Sequence, residues 1–158
     1  LARLAERCFR DAFAADNASE DMDLHCEESY GEAIQSREIQ DVTLKTLLGW
    51  DGARLAGYAQ CRVSVPPVVC DHQRSMELQR FYMDAPWHGT GLAQAMMAAV
   101  IEQADAWQCD GLWLGVWEHN ARALRFYHKH GFEVVGEKAF MLGKDLQQDL
   151  VMVRWLDS

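Results

Sequence analysis

The chain has 158 residues, 49% of them hydrophobic, including six tryptophans and six phenylalanines; this is ample for one core and too apolar for disorder. A formal charge of −9 with no offsetting basic cluster argues against a nucleic-acid surface and is compatible with a cationic substrate. No apolar run approaches the ~20 residues of a membrane span, and no signal-peptide pattern is present, so neither a membrane nor an export route is expected.

The cysteines Cys8, Cys26, Cys61, Cys70 and Cys109 are scattered and never in Cys-x-x-Cys spacing, which fits a reducing, cytoplasmic setting and no zinc site. Residues 1–158 read as a single domain, and a start at Leu1 rather than Met predicts an element before it. Residues 2–15 carry apolar side chains at helical spacing: Leu4, Cys8 and Ala12, with Phe9 and Phe13 beside them. Ser19 is the expected cap of a second helix, with Glu20, Asp21 and Asp23 favoured in its first turn, and that helix should run to about Arg37. Two β-rich runs then flank Asp51-Gly52, a hairpin signal. Pro66-Pro67 ends the second run, Asp71–Arg74 reads as a loop, and "SMELQRFYMD" as a third strand. Leu92, Met96, Val100, Ala104 and Trp107 share one helical stripe. "GLWLGVW", apolar on both faces, is a central strand. Asn120 should cap a helix that ends at Gly131, and "FEVVGEKAF" and "DLVMVRWL" close the chain as strands. The order predicts an α/β (α+β) fold.

"FYMDAPWHGTGLAQAMMAAV" places Gly89 and Gly91 between a strand and a helix. Glycine there either supplies positive φ or clears space so that an anion can reach the unpartnered N–H groups of the helix start. On this stretch alone a bare turn and a pyrophosphate cradle fit equally well. A P-loop fails because Leu92-Ala93 follows Gly91 where Lys-Ser/Thr is required. A Rossmann fingerprint fails because position 94 is Gln94 and the stretch lies mid-chain.

Residues 88–93, His88-Gly89-Thr90-Gly91-Leu92-Ala93, resemble the Gln/Arg-x-x-Gly-x-Gly/Ala loop of the GNAT N-acetyltransferase superfamily, with His88 departing at the first position. Downstream, "LGVWEHNARALRFYHKHGFEVVGE" resembles the same family's second motif, with Asn120, Ala123, Phe126, Tyr127, Gly131 and Phe132 in place. "DNASEDMDLHCEESY" and "FMLGKDLQQDLVM" add a likeness to bacterial spermine/spermidine acetyltransferases of the PaiA type. The resemblance implies a mixed, mostly antiparallel sheet splayed at its centre, with helices on both faces.

It also implies acetyl transfer from acetyl-CoA to a primary amine, a polyamine being one candidate, by direct attack in a ternary complex without a metal. The cofactor-binding residues it implies are Phe81, Tyr82 and Met83, the loop residues His88, Gly89, Thr90, Gly91, Leu92 and Ala93, and Asn120. Tyr127 matches the tyrosine that assists the leaving thiolate. An alkylammonium, pKa about 10.4, must lose a proton before it attacks. Glu77 is the first candidate base and Glu118 the second. The acids Glu20, Asp21, Asp23, Glu27 and Glu28 would overhang the acceptor channel, or else serve only a helix start. "HKH" (residues 128–130) reads as helix-end surface, and Trp113 and Trp117 as core or site wall. The rival readings are a protein N-terminal or other small-amine acetyltransferase and a non-catalytic acyl-CoA-binding module. A small amine is the expected partner, and a homodimer is compatible with the sequence.

Overall fold

Apolar spacing sets the first helix, α1 (Ala2–Phe13), whose buried residues Leu4, Ala5, Cys8 and Phe9 fall on one face. The computed structural model describes residues 1–71 and 74–157. The expected second helix is two: α2 (Ser19–Ser29) and α3 (Glu32–Gln40). The break is at Gly31, whose φ of 154° and ψ of 155° suit glycine alone. Gln35 locks it, accepting from Gly31 N–H at 2.7 Å and donating to Ser29 O at 2.9 Å. Ser19 lies inside α2 and makes no cap; Ala18 holds that position with no side-chain bond.

The strands are β1 (Lys45–Asp51), β2 (Arg54–Val63), β3 (Ser75–Met83), β4 (Gly111–Trp117), β5 (Glu133–Leu142) and β6 (Asp145–Trp155). Of the expected loop Asp71–Arg74, positions 72 and 73 lie outside the described residues. The last two strands are longer than their apolar runs and meet in a tight turn at Gly143-Lys144, which the Asp21 carboxylate fastens by accepting Lys144 N–H at 2.9 Å. The last helices are α4 (Leu92–Ala106) and α5 (Ala121–Lys129). Asn120 caps α5, its Oδ1 accepting Ala123 N–H at 3.2 Å.

The six strands form one sheet in the order β1-β2-β3-β4-β6-β5. All pairs are antiparallel except β3–β4, which stay in register only over Ser75↔Gly111, Met76↔Leu112 and Glu77↔Trp113. Beyond that point β3 continues with β2 as far as Gly57↔Met83, and β4 continues with β6 as far as Trp117↔Asp149. The sheet is therefore split from Leu78 and Leu114 onward. A bulge sits at the root of the split: Gln60 pairs with Arg80 and Cys61 with Leu78, leaving Gln79 as the extra residue. One extra residue reverses the facing of every later side chain. Met76 and Leu78 belong to the core under α4, and after the bulge Phe81 and Met83 return to that same face.

Helices cover both faces. Met96, Met97, Val100 and Ala104 of α4 and Tyr127 of α5 pack on Leu112, Leu114, Val116 and Met152. On the other face α1 and α2 pack against Tyr58, Tyr30 and Leu142. Met97 and Val100 are fully buried, each contributing roughly 1.5–3 kcal/mol by burial.

Candidate active site

The turn leaving β3 is braced before it reaches the glycines. Asp84, 6% exposed, takes a two-pronged contact from Arg7 of α1, at 3.0 Å to Oδ1 and 2.7 Å to Oδ2. That guanidinium holds the Asp84 carboxyl below its ordinary range. Trp87 donates from its indole to Asp51 at 2.9 Å, and Arg54 lies over its ring. Thr90 Oγ1 donates to Trp87 O at 2.7 Å.

Gly89 and Gly91 have φ of 76° and 89°, so the geometry requires glycine at both. A Cβ at either would meet nothing within 4 Å, so the space in front of them is also open. His88 and Thr90 use their N–H groups on Ala85 O and Trp87 O. The first helical bond of α4 runs from Ala95 N–H to Gly91 O. Among the described residues, the N–H groups of Gly89, Gly91, Leu92 and Ala93 meet no acceptor. Positive φ therefore demands the glycines, and the turn they make presents free donors at the positive end of a 15-residue helix.

His88 bridges two elements. One ring nitrogen, Nδ1, faces Arg122 Nη1 at 2.9 Å; the other, Nε2, faces Met83 O at 2.8 Å. Arg122 only donates, so Nδ1 accepts and the ring proton sits on Nε2, donating to Met83 O. A guanidinium from α5 therefore stands at the lip of the turn. Sequence reasoning passed over Arg122; its place two residues after the Asn120 cap was the available signal.

The split lies between this turn and α5. Phe81 stacks on Phe126 with centroids 5.5 Å apart and meets Tyr127 edge-on. Tyr127 is 9% exposed, and no group bonds its hydroxyl among the described residues. Burial pushes its phenol well above the usual range, so it stays protonated near neutrality. The cysteines are free thiols; burial pushes Cys8 and Cys61 up to about 12, which makes them poor nucleophiles.

On the opposite face an open cavity of about 510 Å³ is lined by Asp16, Asn17, Trp117, Glu118, Asp145 and Gln147, among others. Gln147 ties its rim together, donating to Asn17 Oδ1 and to Asp145 Oδ2. Glu118 is in this wall, its side chain 38% exposed and 3.3 Å from His119. Glu77 is elsewhere, in the last β3–β4 pair, buried and held by Arg62 at 2.7 Å. The α2 acids do not line the cavity: Asp23 pairs with Arg10, Asp21 secures the β5–β6 turn, and Glu20, Glu27 and Glu28 face solvent. Trp117 forms cavity wall and Trp113 is core. In the "HKH" run, His128 and Lys129 are exposed, but His130 is half-buried, its ring packed on Phe126 at 4.4 Å.

The sheet is thus opened along its parallel pair, with a donor-lined helix start on one face and an acid-lined cavity on the other. The Acetyltransferase (GNAT) family model matches residues 3–132, and the chain belongs to that family of acetyl-CoA-dependent N-acetyltransferases. The chain is 33% identical over 156 residues to an uncharacterised N-acetyltransferase of Mycobacterium tuberculosis, covering 99% of this chain and 96% of that one. It is 34% identical over 74 residues to the spermine/spermidine N(1)-acetyltransferase of Bacillus subtilis, 46% of this chain and 49% of the other. A crystal structure of PaiA N-acetyltransferase from Thermoplasma acidophilum in complex with coenzyme A superposes with a TM-score of 0.79 at 16% identity, covering 98% and 90% of the two chains. Among the described residues, no helix is long and apolar enough to cross a membrane.

Proposed function

We propose that the protein moves the acetyl group of acetyl-CoA to a primary amine carrying further positive charge, with a polyamine as the leading substrate class, by direct attack in a ternary complex. The observation that carries this reading is the pairing of free donors on one face of the split with a carboxylate-walled cavity on the other. The free N–H groups of Gly89, Gly91, Leu92 and Ala93 hold the pyrophosphate, with Arg122 adding the cationic charge that His88 in its neutral tautomer does not. The edge of β3 at Phe81–Met83 that faces β4, left without a strand partner by the split, holds the acetyl and pantetheine portion. The Asn120 amide bonds the cofactor arm while its oxygen caps α5.

The amine nitrogen forms a bond to the thioester carbon, and the carbon–sulfur bond breaks. Tyr127 gives a proton or a strong hydrogen bond to the departing sulfur, a task suited to a phenol that burial keeps protonated. Asp16, Glu118 and Asp145 attract the distal ammonium groups of the acceptor. In this reading Glu118, in the cavity wall, binds the amine. Glu77, already satisfied by Arg62, is the weaker candidate for taking its proton. The likeness of part of the chain to a spermine/spermidine enzyme supports the polyamine choice without deciding it.

Steady-state kcat/KM for spermidine and butylamine at two ionic strengths tests the acceptor. Spermidine should be preferred, and the preference should shrink with salt, because exposed charges are screened over about 10 Å at 0.1 M. Equal values at low salt sink the polyamine assignment and leave acetyl transfer standing.

A further inference from the structure

One carboxylate near the split has no assigned task. Asp149 of β6 lies opposite Trp117 of β4 on one side and opposite Lys138 of β5 on the other. Cross-strand partners share a face, so Asp149, Trp117 and Lys138 point to the cavity side of the sheet, away from Leu114, Val116 and Met152 in the core under α4. Asp149 is only 8% exposed, and no donor bonds its carboxylate among the described residues. Its nearest cation, the ammonium of Lys138, is drawn over the ring of Trp113 at 5.5 Å.

Gly115 explains how both side chains fit. A Cβ there would stand 2.4 Å from Lys138 Cε and 3.2 Å from Asp149 Oδ2. Both therefore lie against bare backbone of β4. That backbone is inside the split, two residues past the last β3–β4 pair at Trp113. Along the same strands, Trp117 and Gln148 belong to the cavity wall. The carboxylate thus stands between the place where β3 and β4 part and the cavity through which an acceptor would arrive.

A nearly dry carboxylate without a donor is driven toward any proton offered to it. Burial does raise the Asp149 carboxyl above its ordinary range, against the lowering influence of Lys138. Glu77 already carries a donor in Arg62, and Glu118 is open to water.

We propose that Asp149 is the catalytic base that takes the first proton from the acceptor ammonium. This assignment rests on the acetyltransferase reading above. The ammonium gives one proton to the Asp149 carboxylate, and the freed lone pair forms the carbon–nitrogen bond. As the carbon–sulfur bond breaks, its electron pair leaves on sulfur, which takes a proton from Tyr127. The second nitrogen proton, lost as the adduct collapses, restores Tyr127. Asp149 releases its proton to water, so ammonium and thioester become amide, thiol and one free proton.

Two variants test it, each read against spermidine across pH. The charged group that acts on Asp149 is Lys138 on β5; Glu118, His119, Asp145 and Asp16 belong to the cavity wall beyond it. Asp149→Asn keeps the shape; it should lower kcat/KM about 10²-fold at neutral pH while acetyl-CoA affinity, by calorimetric titration, stays within twofold. Its log kcat/KM should climb with unit slope toward the amine's own pKa, because only free amine then reacts. Lys138→Met removes the neighbouring cation and should move the acid limb of the wild-type profile to higher pH. An Asp149→Asn enzyme with the wild-type profile, or an acid limb indifferent to Lys138→Met, overturns the assignment. If wild-type protein binds acetyl-CoA but acetylates no amine, the proposed function falls, and this role with it. If wild type and Asp149→Asn turn over equally, only this role falls.

Discussion

The two faces of the split sheet are assembled from different kinds of sequence. The donor face comes from two short runs, residues 81–93 and 120–132, in which strand end, turn, helix start, helix and C-terminal glycine follow one another. The cavity face gathers Asp16, Glu118 and Asp145 in the cavity wall from across most of the chain, with Asp149 on the same face of the sheet, and its fastenings span the chain too: Gln147 to Asn17, and Lys144 to Asp21. The first face is fixed by local backbone chemistry, with positive φ at the glycines and a cap at Asn120. The second exists only after the chain has folded. A family can therefore keep the donor face as a motif while the cavity face varies with the acceptor.

The largest effect expected on the donor face is at Tyr127. Tyr127→Phe should leave acetyl-CoA binding nearly intact and lower kcat by about 10²–10⁴-fold, the usual worth of a general acid. Single-turnover rates with a saturating amine check this; a wild-type rate under chemistry-limited conditions removes the hydroxyl from the reaction.

Gly91→Asp should come next. It forces a side chain onto φ of 89° and sets a negative charge before the free N–H groups. Acetyl-CoA affinity should fall by about tenfold or more, each tenfold being about 1.4 kcal/mol. Titration of the folded variant reads it, and unchanged affinity would reduce the turn to a bare connection.

Arg122→Gln should be milder. Loss of one exposed cation at the lip should weaken acetyl-CoA several-fold, and the loss should narrow as salt rises. If Arg122 only orients His88, the variant's affinity will instead differ from wild type by the same factor at every ionic strength.

The smallest effect joins the two faces. Arg7 of α1, on the cavity side, holds Asp84 at the start of the donor turn. Asp84 titrates below its unfolded value near 3.9, so the pair's contribution is full above that pH and is lost as pH falls through the lower native value. Arg7→Met should cost about 1 kcal/mol at pH 7, a low figure because the Arg7 side chain is 51% exposed. Melting both proteins from pH 7 to 3 should show the gap closing at the acid end. A gap that stays constant with pH separates the turn from α1.

Much of the fold was legible from period and punctuation. The stripe of α4, the apolar run of β4 and the Asn120 and Gly131 boundaries of α5 are local signals, and the structure keeps them. What escaped depends on partners far along the chain. Polar "KDLQQ" extends the last hairpin because β4 and β5 flank it and Asp21 fastens its turn. The bulge at Gln79 decides which face Phe81 and Met83 take, yet nothing in "ELQRFYM" marks it. Asp149 opened the expected last strand and lay in a stretch read as a likeness, with no task assigned to it. Its burial beside Gly115 appears once β4, β6 and β5 lie side by side.

The central claim is that the two substrates meet through the split, without the protein itself carrying the acetyl group. Rapid mixing of acetyl-CoA with excess-free enzyme, reading released thiol with and without spermidine, addresses this most directly. Thiol should appear only when the amine is present, and initial rates varied in both substrates should give intersecting lines. A burst of thiol equal to the enzyme concentration in the absence of amine, with parallel lines, would mean an acetylated protein intermediate and would contradict the account.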